Sequence, residues 1–531
     1  MIIMQTIERW DIFEISLHGR SDGNPFTDYT VTATFTGENE EKATEGFYDG
    51  EGIYRIRFMP SYEGIYHYQI EGTFQNELTE KEQLAGSFTA VPAGENNHGP
   101  VRVADQVRLR YEDGSCYYSI GTTCYAWANQ TLELQEQTLE TLKNSPFNKI
   151  RFCFFPKFYL YNTKEPLTHP FERGHGEGLD PSLIELNQKE QVHFPGMPHA
   201  EPELDFDYTR PNPAHFRRYD ERIRQLRDMG IEADIILMHP YDRWGNILMD
   251  AASCDNYLRY VVARYGAYRN VWWSLANEYD LIRTKSIEDW ERYGELIQKK
   301  DPYQHLRSIH NCGDFYDHSR PWITHCSLQR TDFYRTTEDT GIYMEKYGKP
   351  IVWDEICYEG NLELGWGNIT GQELVRRFWE GMLRGGYCGH GETFLAEDEI
   401  LWWSHGGPLK GESVPRLRFL LDILKEVPGG YVKEGQGIFD ETVGIAANQK
   451  YEKTEGFKPP FTLQTSGYEI HYLGIMQPAC RELFLPEGRN FQVDIIDTWE
   501  MTITDAGVHS GMTKIKMPGH QYMAIRIIEV S

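Results

Sequence analysis

Alternating apolar and polar positions dominate the first 97 residues and predict short β-strands. Aromatic and β-branched residues alternate with polar ones, and turn residues such as Ser21-Asp22-Gly23-Asn24-Pro25 separate the segments. Several short strands at regular spacing are typical of a β-sandwich, so residues 1–97 are expected to form one. The predicted strands lie within residues 8–19, 28–37, 52–60, 64–72 and 86–93. A linker is expected at Pro92–Pro100.

The pattern changes over residues 98–429, where strand-like runs alternate with segments of helical periodicity. Apolar residues recur at helical spacing in Pro213–Met229 and Tyr257–Tyr265. Ser286–Lys300 and Thr370–Leu383 are further predicted helices, each opening with the residue pair of a capping box. Eight strand-like runs predict an α/β fold, a (β/α)8 TIM barrel. These runs are residues 117–127, 148–157, 231–240, 270–278, 305–311, 322–327, 350–356 and 385–392.

Strand patterns without helix signals return in residues 430–531. Runs of alternating residues occupy 467–475, 491–499 and 521–530. A second, C-terminal β-sandwich is therefore expected. The predicted organisation is an N-terminal β-sandwich over 1–97, a catalytic barrel over 98–429 and a C-terminal β-sandwich over 430–531.

Composition and charge limit the possible binding partners of the protein and its possible cellular compartment. The 531 residues carry a net charge of −27, which disfavours nucleic acids and anionic membranes. It also disfavours acidic polysaccharides, although a local basic pocket could override this. We find no signal peptide and no run of about 18 apolar residues that could span a membrane. The nine cysteines are scattered without a C-x-x-C pair, which favours reduced thiols in the cytoplasm over disulfides or a zinc site.

Polar side chains are predicted at the ends of most barrel strands. The chemistry of such barrels sits at the C-terminal ends of the strands, so these side chains are the candidates for a functional site. A purely structural barrel would not need them. From the second strand to the segment after the eighth, they are Arg151, His239, Asn277, Glu278, His310, His325, Asp354, Glu355, Glu392, Trp402 and Trp403.

Two of the candidates are glutamates at the ends of strands 4 and 7. Glycoside hydrolysis with retention needs two carboxyl groups about 5–5.5 Å apart, one to protonate the leaving oxygen and one to attack the anomeric carbon. Glu278 and Glu355 would face each other across the mouth of the barrel. The alternative is that both glutamates belong to structural ion pairs.

The motifs around these glutamates resemble those of the large clan of retaining (β/α)8 glycosidases. Leu275-Ala276-Asn277-Glu278 resembles the clan's acid/base motif on strand 4, and Trp353-Asp354-Glu355 resembles its nucleophile motif on strand 7. Asn148-Lys149-Ile150-Arg151 resembles the Asn-x-x-Arg of strand 2, whose arginine hydrogen-bonds the nucleophile. The resemblance implies that Glu278 is the acid/base, Glu355 the nucleophile and Arg151 its partner.

Further motifs along nearly the whole chain resemble a group of bacterial proteins with an apiosidase-like barrel between two β-sandwiches of unknown function. Examples are SDGNPF, NHGPVRV, HPYDRWG, VWWSLANEYD and LWWSHGGPLKGES. This resemblance implies the fold and glycoside hydrolysis, and it names no sugar.

The remaining candidates each have a structural alternative. His239 and His325 are expected to bind sugar hydroxyls or to orient Glu355. For His310 the choice between such a role and a purely structural one is left open. All three could instead be core histidines whose hydrogen bonds are satisfied within the protein. Asp354 is expected to face the helices, because neighbours on a strand point to opposite sides. Glu392 could bind hydroxyls or be a structural acid. Tryptophans on predicted loops could line the sugar site, namely Trp127, Trp244, Trp402 and Trp403.

The sequence thus predicts an exo-acting retaining glycoside hydrolase, with β-galactosidase-, β-glucosidase- or β-xylosidase-like specificity. A cytoplasmic enzyme must act on imported material, so short oligosaccharides or glycosides are the expected substrates. No cofactor is expected, and without a close H-x-H or H-x-x-E-H motif no metal either. The alternatives are a transglycosidase, which shares this machinery, and a non-catalytic carbohydrate-binding protein on a decayed barrel. The oligomeric state stays open, with a homo-oligomer allowed.

Overall fold

The computed structural model describes residues 5–159, 161–190, 205–333, 336–396, 400–430, 462–465 and 467–530. Its centre is a closed barrel of eight parallel strands. We number them β1 to β8, and they are Ile120–Thr123, Lys149–Cys153, Glu232–Met238, Val271–Ala276, Arg307–Ser308, Cys326–Gln329, Ile351–Glu355 and Tyr387–His390. Around the barrel the order is β5-β4-β3-β2-β1-β8-β7-β6, and a parallel bridge between His310 and Ser327 joins β5 to β6. The prediction of a (β/α)8 barrel is confirmed.

Helices cover the outside of the barrel. They are α1 Leu132–Lys143, α2 Pro181–Glu190, α3 Pro213–Asp228, α4 Ala251–Tyr265, α5 Ile287–Lys300, α6 Thr340–Tyr347, α7 Gly371–Leu383, α8 Trp402–His405 and α9 Ser413–Lys425. The sequence signals at several helix ends are confirmed: Asn212 caps α3 ahead of its first-turn proline, and Ser286 forms a complete capping box on α5. The predicted box on α7 is only half formed, because Glu373 pairs with Arg376 instead of reaching back.

Helix α4 is longer than its sequence pattern predicted. It begins at Ala251, six residues before the predicted start, because the Asp250 side chain caps it by accepting from the backbone N–H of Ser253. Between β5 and β6 the chain forms no α-helix. Among the described residues, no helix is long and apolar enough to cross a membrane.

The N-terminal region is a sandwich of two sheets. One sheet has five strands, in the order Thr6–Glu8, Ala85–Val91, Gly64–Glu71, Thr32–Thr36 and Glu41–Glu45. The other has three strands, in the order Phe13–His18, Ile53–Phe58 and Phe47–Tyr48. Aromatic rings from both sheets stack between them: the ring centroids of Phe13 and Phe88 are 4.1 Å apart, and so are those of Phe35 and Phe58. Stacked rings of this kind add to the apolar burial that holds the sheets together.

The C-terminal region also consists of two sheets. One has five strands, in the order Thr462–Thr465, Tyr468–Tyr472, Met523–Val530, Asn490–Asp497 and Thr502–His509, and the other pairs Cys480–Phe484 with Met512–Lys516. This region packs against the barrel through Tyr472, whose ring stacks on Trp379 of α7 at 5.3 Å. Arg416 of α9 lies over the Trp499 ring at 4.2 Å and donates to the Trp499 carbonyl.

The interior of the barrel is layered. At its N-terminal end a hairpin of Val101–Ala104 and Arg108–Tyr111 closes the opening with an apolar cluster that includes Leu109 and Trp272. Above it, Lys149 Nζ donates to Asp234 at 2.7 Å and to Asp354 at 2.6 Å. Burial acts to lower the pKa of Lys149, but the two aspartates outweigh it and the net shift is upward. The third layer, at the C-terminal end, holds the polar residues described below.

Buried ion pairs join the N-terminal sandwich to the barrel. Asp49 accepts from Arg264 Nη1 of α4 at 2.8 Å, and both side chains are almost inaccessible to solvent. Asp220 of α3 accepts from Arg57 of the sandwich at 2.9 Å and from Arg264 at 2.6 Å. Such pairs repay the cost of burial only when every partner is present. The sandwich therefore acts as scaffold for α3 and α4.

Removing one partner of this network tests that role. We expect Asp49→Ala to lower the free energy of unfolding by about 3–5 kcal/mol, because it leaves the Arg264 guanidinium buried beside one fewer carboxylate. The control is Asp22→Ala, which removes a pair between Arg20 and an aspartate whose side chain is 65% exposed, and should cost less than about 1 kcal/mol. Urea titration measures both, and equal small losses would contradict the scaffold role.

Candidate active site

Glu278 lies immediately beyond β4 in a strained backbone conformation. Its φ of 51° falls in the left-handed region, which costs a residue with a side chain on the order of 1–3 kcal/mol. Its carboxylate accepts from the Tyr241 hydroxyl and, at 3.0 Å, from Asn277 Nδ2. Only 7% of Glu278 is exposed. Strain of this kind persists where the surroundings hold it, and it is concentrated at functional sites.

Glu355 ends β7 on the other side of the barrel mouth and is surrounded by hydrogen-bond donors. The Tyr125 hydroxyl donates to its Oε1, and Arg151 Nη1 lies 3.6 Å from the same oxygen. His310 Nε2 lies 3.3 Å from Oε1. The Gln329 amide donates to Glu355 Oε2 at 3.2 Å in the orientation that satisfies all its neighbours. The donors from Tyr125, Arg151 and Gln329 favour the ionised form of the carboxyl group, whereas His310 Nε2 accepts from Gln329 in this orientation and is no donor to Glu355.

Asp354 does not face the helices as the alternation rule predicted. Its carboxylate meets Lys149 of β2 and the Ser327 hydroxyl of β6. Because β2 and β7 are separated by two strands on the barrel wall, only the interior brings these groups together. The prediction was wrong because the register between β6 and β7 shifts after Leu328, so strict alternation ends just before Glu355.

A hydrogen-bonded cluster joins the two glutamates. Asn277 Oδ1 accepts from Arg151 Nη1 at 2.6 Å, while Asn277 Nδ2 reaches Glu278. The Tyr125 hydroxyl, which donates to Glu355, also lies 3.2 Å from Asn277 Oδ1. Strands β2 and β4 and the residues after β1 thus hold both carboxyl groups in one network. Such an arrangement can present an acid and a nucleophile to the same substrate.

Burial shifts the titration of both glutamates upward. It raises the pKa of Glu355 to about 8, against a hydrogen bond from Tyr358 that acts to lower it. Burial also raises the pKa of Glu278, opposed by the hydrogen bond from Tyr241 and the positive charge of Lys157. A carboxyl group with a raised pKa can keep its proton near neutral pH, as a general acid must.

Aromatic side chains surround the two carboxyl groups. We call the cluster of Tyr125, Tyr159, Tyr241, Tyr358 and Trp403 the aromatic cage. The Trp403 ring lies 5.6 Å from those of Tyr125 and Tyr159. Tyr161 and Trp366 pack against the cage and are partly exposed. Flat aromatic faces of this kind can stack on the C–H faces of sugars.

The comparisons with known proteins identify the family. The family "Apiosidase-like, catalytic domain" matches residues 105–405, and two domains of unknown function match residues 6–73 and 458–528. The chain belongs to the apiosidase-like glycoside hydrolases. A crystal structure from Bacteroides vulgatus, assigned as a glycoside hydrolase, is 32% identical over 99% of this chain and 100% of that one, with a TM-score of 0.84. No curated protein gives a significant match.

More distant structures share the fold of this apiosidase-like hydrolase. A glycoside hydrolase family 5 protein from Bacteroides vulgatus is 15% identical over 81% of this chain and 94% of its own, with a TM-score of 0.57. At that identity the likeness concerns the fold alone. Among the described residues, no group of three or more His, Cys, Asp or Glu side chains could hold a metal ion.

The predicted histidines of the hydrolase lie in different places. His310 touches Glu355, as described above. His239 follows β3, its Nε2 donates to the Phe155 carbonyl at 3.2 Å, and its ring stacks near that of Tyr241. Burial lowers the pKa of His239 to about 3, so its ring is neutral.

His325 lies at the opposite end of the barrel. The prediction that it ends the sixth strand was wrong, because β6 begins at Cys326 and ends at Gln329. Its ring packs edge-on against Trp272, in the apolar layer beneath Lys149, at 5.3 Å. Gln329 occupies the place at the barrel mouth that the sequence analysis gave to His325.

Glu392 serves as an anchor for a loop in the apiosidase-like barrel. Its two carboxylate oxygens accept from the backbone N–H groups of Lys410 and Gly411 at 2.5 and 2.8 Å. Glu359 holds the next two N–H groups of the same loop in the same way. Glu392 thus has the backbone partners expected of a structural acid, and its binding of sugar hydroxyls stays a prediction.

Of the four predicted tryptophans, the structure brings only Trp403 into the aromatic cage. Trp127, Trp244 and Trp402 are at most 2% exposed and belong to the main apolar core. The Trp402 indole donates to Thr122 on the outer side of the barrel, and Trp127 packs edge-on against Phe152. The correction has a simple cause: an isolated loop tryptophan has the same sequence signal whether it packs inward or lines a cleft.

Sequence reasoning missed several residues of this site. Tyr125 follows β1, where the sequence analysis proposed Trp127 instead, and Tyr241 comes two residues after His239. Tyr358 and Gln329 were also missed. Lys157 closes the strand-like run 148–157, and its ammonium group lies inside the aromatic cage, 3.9 Å from the Tyr125 ring. The signal that could have found these residues is their position just after a strand. Aromatic residue type alone does not distinguish a residue of the aromatic cage from one of the apolar core.

The raised pKa of Glu355 makes a prediction about stability. Its folded-state pKa of about 8 lies above the ordinary value of 4.5, so ionisation opposes folding as pH rises from about 4.5 to 8. We expect Glu355→Gln to match the parent at pH 4 and to gain stability up to pH 8, on the order of 3–4 kcal/mol.

Thermal unfolding between pH 4 and pH 8 measures this difference. Glu373→Gln is the matched control, because hydrogen bonds and positive charge from Arg376 and Arg377 outweigh burial and hold the Glu373 pKa below its usual range. That variant should lose stability relative to the parent as pH rises through the normal titration range of a carboxyl group. A pH-independent difference for Glu355→Gln would refute the proposed titration.

Proposed function

We propose that this protein is an exo-acting β-glycoside hydrolase that works with retention of anomeric configuration on short oligosaccharides or glycosides. The observation that carries the proposal is the pair of buried glutamates, Glu278 after β4 and Glu355 at the end of β7, joined through Asn277, Arg151 and Tyr125. A non-catalytic carbohydrate-binding protein would gain nothing from holding two carboxyl groups in this costly environment.

The surroundings of the two glutamates support different roles. Glu355 receives donors from Tyr125, Gln329 and Arg151, which favour a carboxylate and hence a nucleophile. Glu278 has fewer donors and a pKa raised by burial, which suits a group that must carry a proton and release it. Burial raises the pKa of both glutamates, so the assignment of roles rests on the larger set of donors around Glu355 and on the positions of the two residues, after β4 and at the end of β7.

The proposed reaction has two displacements. In the first, a Glu355 oxygen attacks the anomeric carbon while the bond to the leaving oxygen breaks and Glu278 transfers its proton to that oxygen. A glycosyl ester on Glu355 results. In the second, Glu278, now a carboxylate, takes a proton from water, whose oxygen attacks the anomeric carbon and releases Glu355. Both proton and carboxylate are restored.

The exo-acting mode is supported by the aromatic cage around the carboxyl groups. Tyr159, Tyr358 and Trp403 are nearly buried, so little of the cage is open to solvent. A site of this shape suits the end of a chain or a single glycoside better than the middle of a polymer. The preference for a β-linkage and the identity of the sugar are open to a panel of nitrophenyl glycosides, including galactose, glucose, xylose, arabinofuranose and apiose.

The stereochemical course tests the proposal directly. With the best substrate of the panel, proton NMR of the reaction in its first minutes should show the same anomer in product and substrate, because two displacements at one carbon restore its configuration. First appearance of the opposite anomer would rule out Glu355 as nucleophile. A mixture from the start would indicate that mutarotation outruns the enzyme, and more enzyme then resolves the two outcomes.

A further inference from the structure

One buried ammonium group in the candidate site has no counter-ion. Lys157 is 2% exposed, and its Nζ lies 3.9 Å from the Tyr125 ring, 4.2 Å from Trp403 and 4.4 Å from Tyr241. Across the part of the chain that the structure describes, no carboxylate forms an ion pair with Lys157 and its Nζ donates no hydrogen bond. Its three N–H groups therefore lie among aromatic faces with no anionic partner in the described residues.

A second lysine that is fully buried, Lys149, shows what the fold does with a structural cation. Lys149 Nζ, one layer below, binds two aspartates at 2.6 and 2.7 Å. Removing an ammonium group from water is costly, and aromatic faces offset part of this cost without accepting a conventional hydrogen bond. Lys157 therefore has partial compensation for its charge but lacks an anionic acceptor.

The position of Lys157 is fixed and lies beside the two carboxyl groups. Asn162 Nδ2 donates to the Lys157 carbonyl at 2.7 Å, and the neighbouring Phe158 N–H donates to the Tyr241 carbonyl at 2.8 Å. The Tyr125 and Tyr241 rings that enclose the ammonium group carry the hydroxyls that bind Glu355 and Glu278. A substrate held between the glutamates would therefore be within reach of Lys157.

We propose that Lys157 binds a carboxylate group of the substrate, and that this hydrolase acts on glycosides that contain a uronic acid. The inference rests on the proposed function of the same site. A carboxylate supplies both the negative charge and the hydrogen-bond acceptors that Lys157 lacks, whereas a neutral hydroxyl supplies only acceptors.

The charge state of Lys157 agrees with this role. Burial lowers its pKa to about 8, partly offset by the nearby Cys153 and Glu278, so the group is mostly charged at neutral pH. Salt screens charges separated by more than about 10 Å, so the net charge of −27, which is spread over the whole surface, does not decide the charge preference of this cage. A local cation can thus select an acidic sugar within a strongly acidic protein.

The test compares acidic and neutral sugars on three variants. Nitrophenyl glucuronide and galacturonide are set against the matching glucoside and galactoside, with a 6-sulfated glycoside as a second anion. We expect Lys157→Met to lower kcat/KM on the uronide, relative to kcat/KM on the matching neutral glycoside, by at least about 30-fold. Lys157→Arg should retain part of the uronide activity. Preference for the sulfated sugar would overturn the choice of a carboxylate.

The variants are expected to fold. Replacing an uncompensated buried charge by an apolar side chain of similar length should keep or raise the melting temperature. The control is Lys349→Met, which removes an ammonium group bound to the His318 and Arg320 carbonyls before β7, at the opposite end of the barrel, and should leave the preference for acidic sugars unchanged. A much lower melting temperature for Lys157→Met would show that Lys157 is a structural element and would overturn the proposal.

A binding measurement distinguishes failure of this inference from failure of the proposed function. Titration calorimetry of Glu355→Gln with free glucuronate, galacturonate, glucose and galactose measures recognition without turnover. Tighter binding of the acidic sugars, lost in the double variant with Lys157→Met, would uphold the inference even if no glycoside is hydrolysed. Hydrolysis of neutral glycosides with no effect of Lys157→Met and no uronate binding would overturn the inference and leave the hydrolase intact.

Discussion

The layer of charge inside the barrel is the interaction on which the position of the candidate site depends. Lys149 on β2 binds Asp234 on the neighbouring β3 and Asp354 on the far wall, so one ammonium group ties opposite sides of the barrel together. Opposite charges buried in this way must keep their geometry, because a broken pair leaves a charge without compensation. Asp354 is thereby fixed, and Glu355, the next residue, is fixed with it at the mouth.

The same constraint explains how the chain combines stability with a costly site. Below the layer the barrel is closed by apolar side chains, and above it two carboxyl groups and one lysine are buried with incomplete compensation. Glu278 adds a backbone in the left-handed region. Groups held in this way lower stability, and the surrounding structure must supply the difference. The ion pairs at α3 and α4 and the packing of Tyr472 on Trp379 show that the terminal sandwiches contribute to that structure.

The sequence was sufficient for the architecture and for the placement of Glu278 after β4 and Glu355 at the end of β7, because apolar periodicity and position after a strand carry that information locally. It failed where the outcome depends on distant contacts. His325 was misplaced by the length of β6, and Asp354 by a register shift between two strands. The burial of Trp127 and the aromatic enclosure of Lys157 are both set by residues far along the chain. No local pattern distinguishes these cases.

The central claim is the division of labour between Glu278 and Glu355, and paired alanine and glutamine variants test it most directly. The measurement is turnover of a dinitrophenyl glycoside and a poor-leaving-group alkyl glycoside of the same sugar, with and without azide. Glu278→Ala should keep much of its activity on the dinitrophenyl glycoside, lose the alkyl glycoside, and form a β-glycosyl azide when azide is present, since departure of a good leaving group needs no acid. Glu355→Gln should lose both substrates. Equal loss on both leaving groups in Glu278→Ala, or activity of Glu355→Gln on either substrate, would contradict the account.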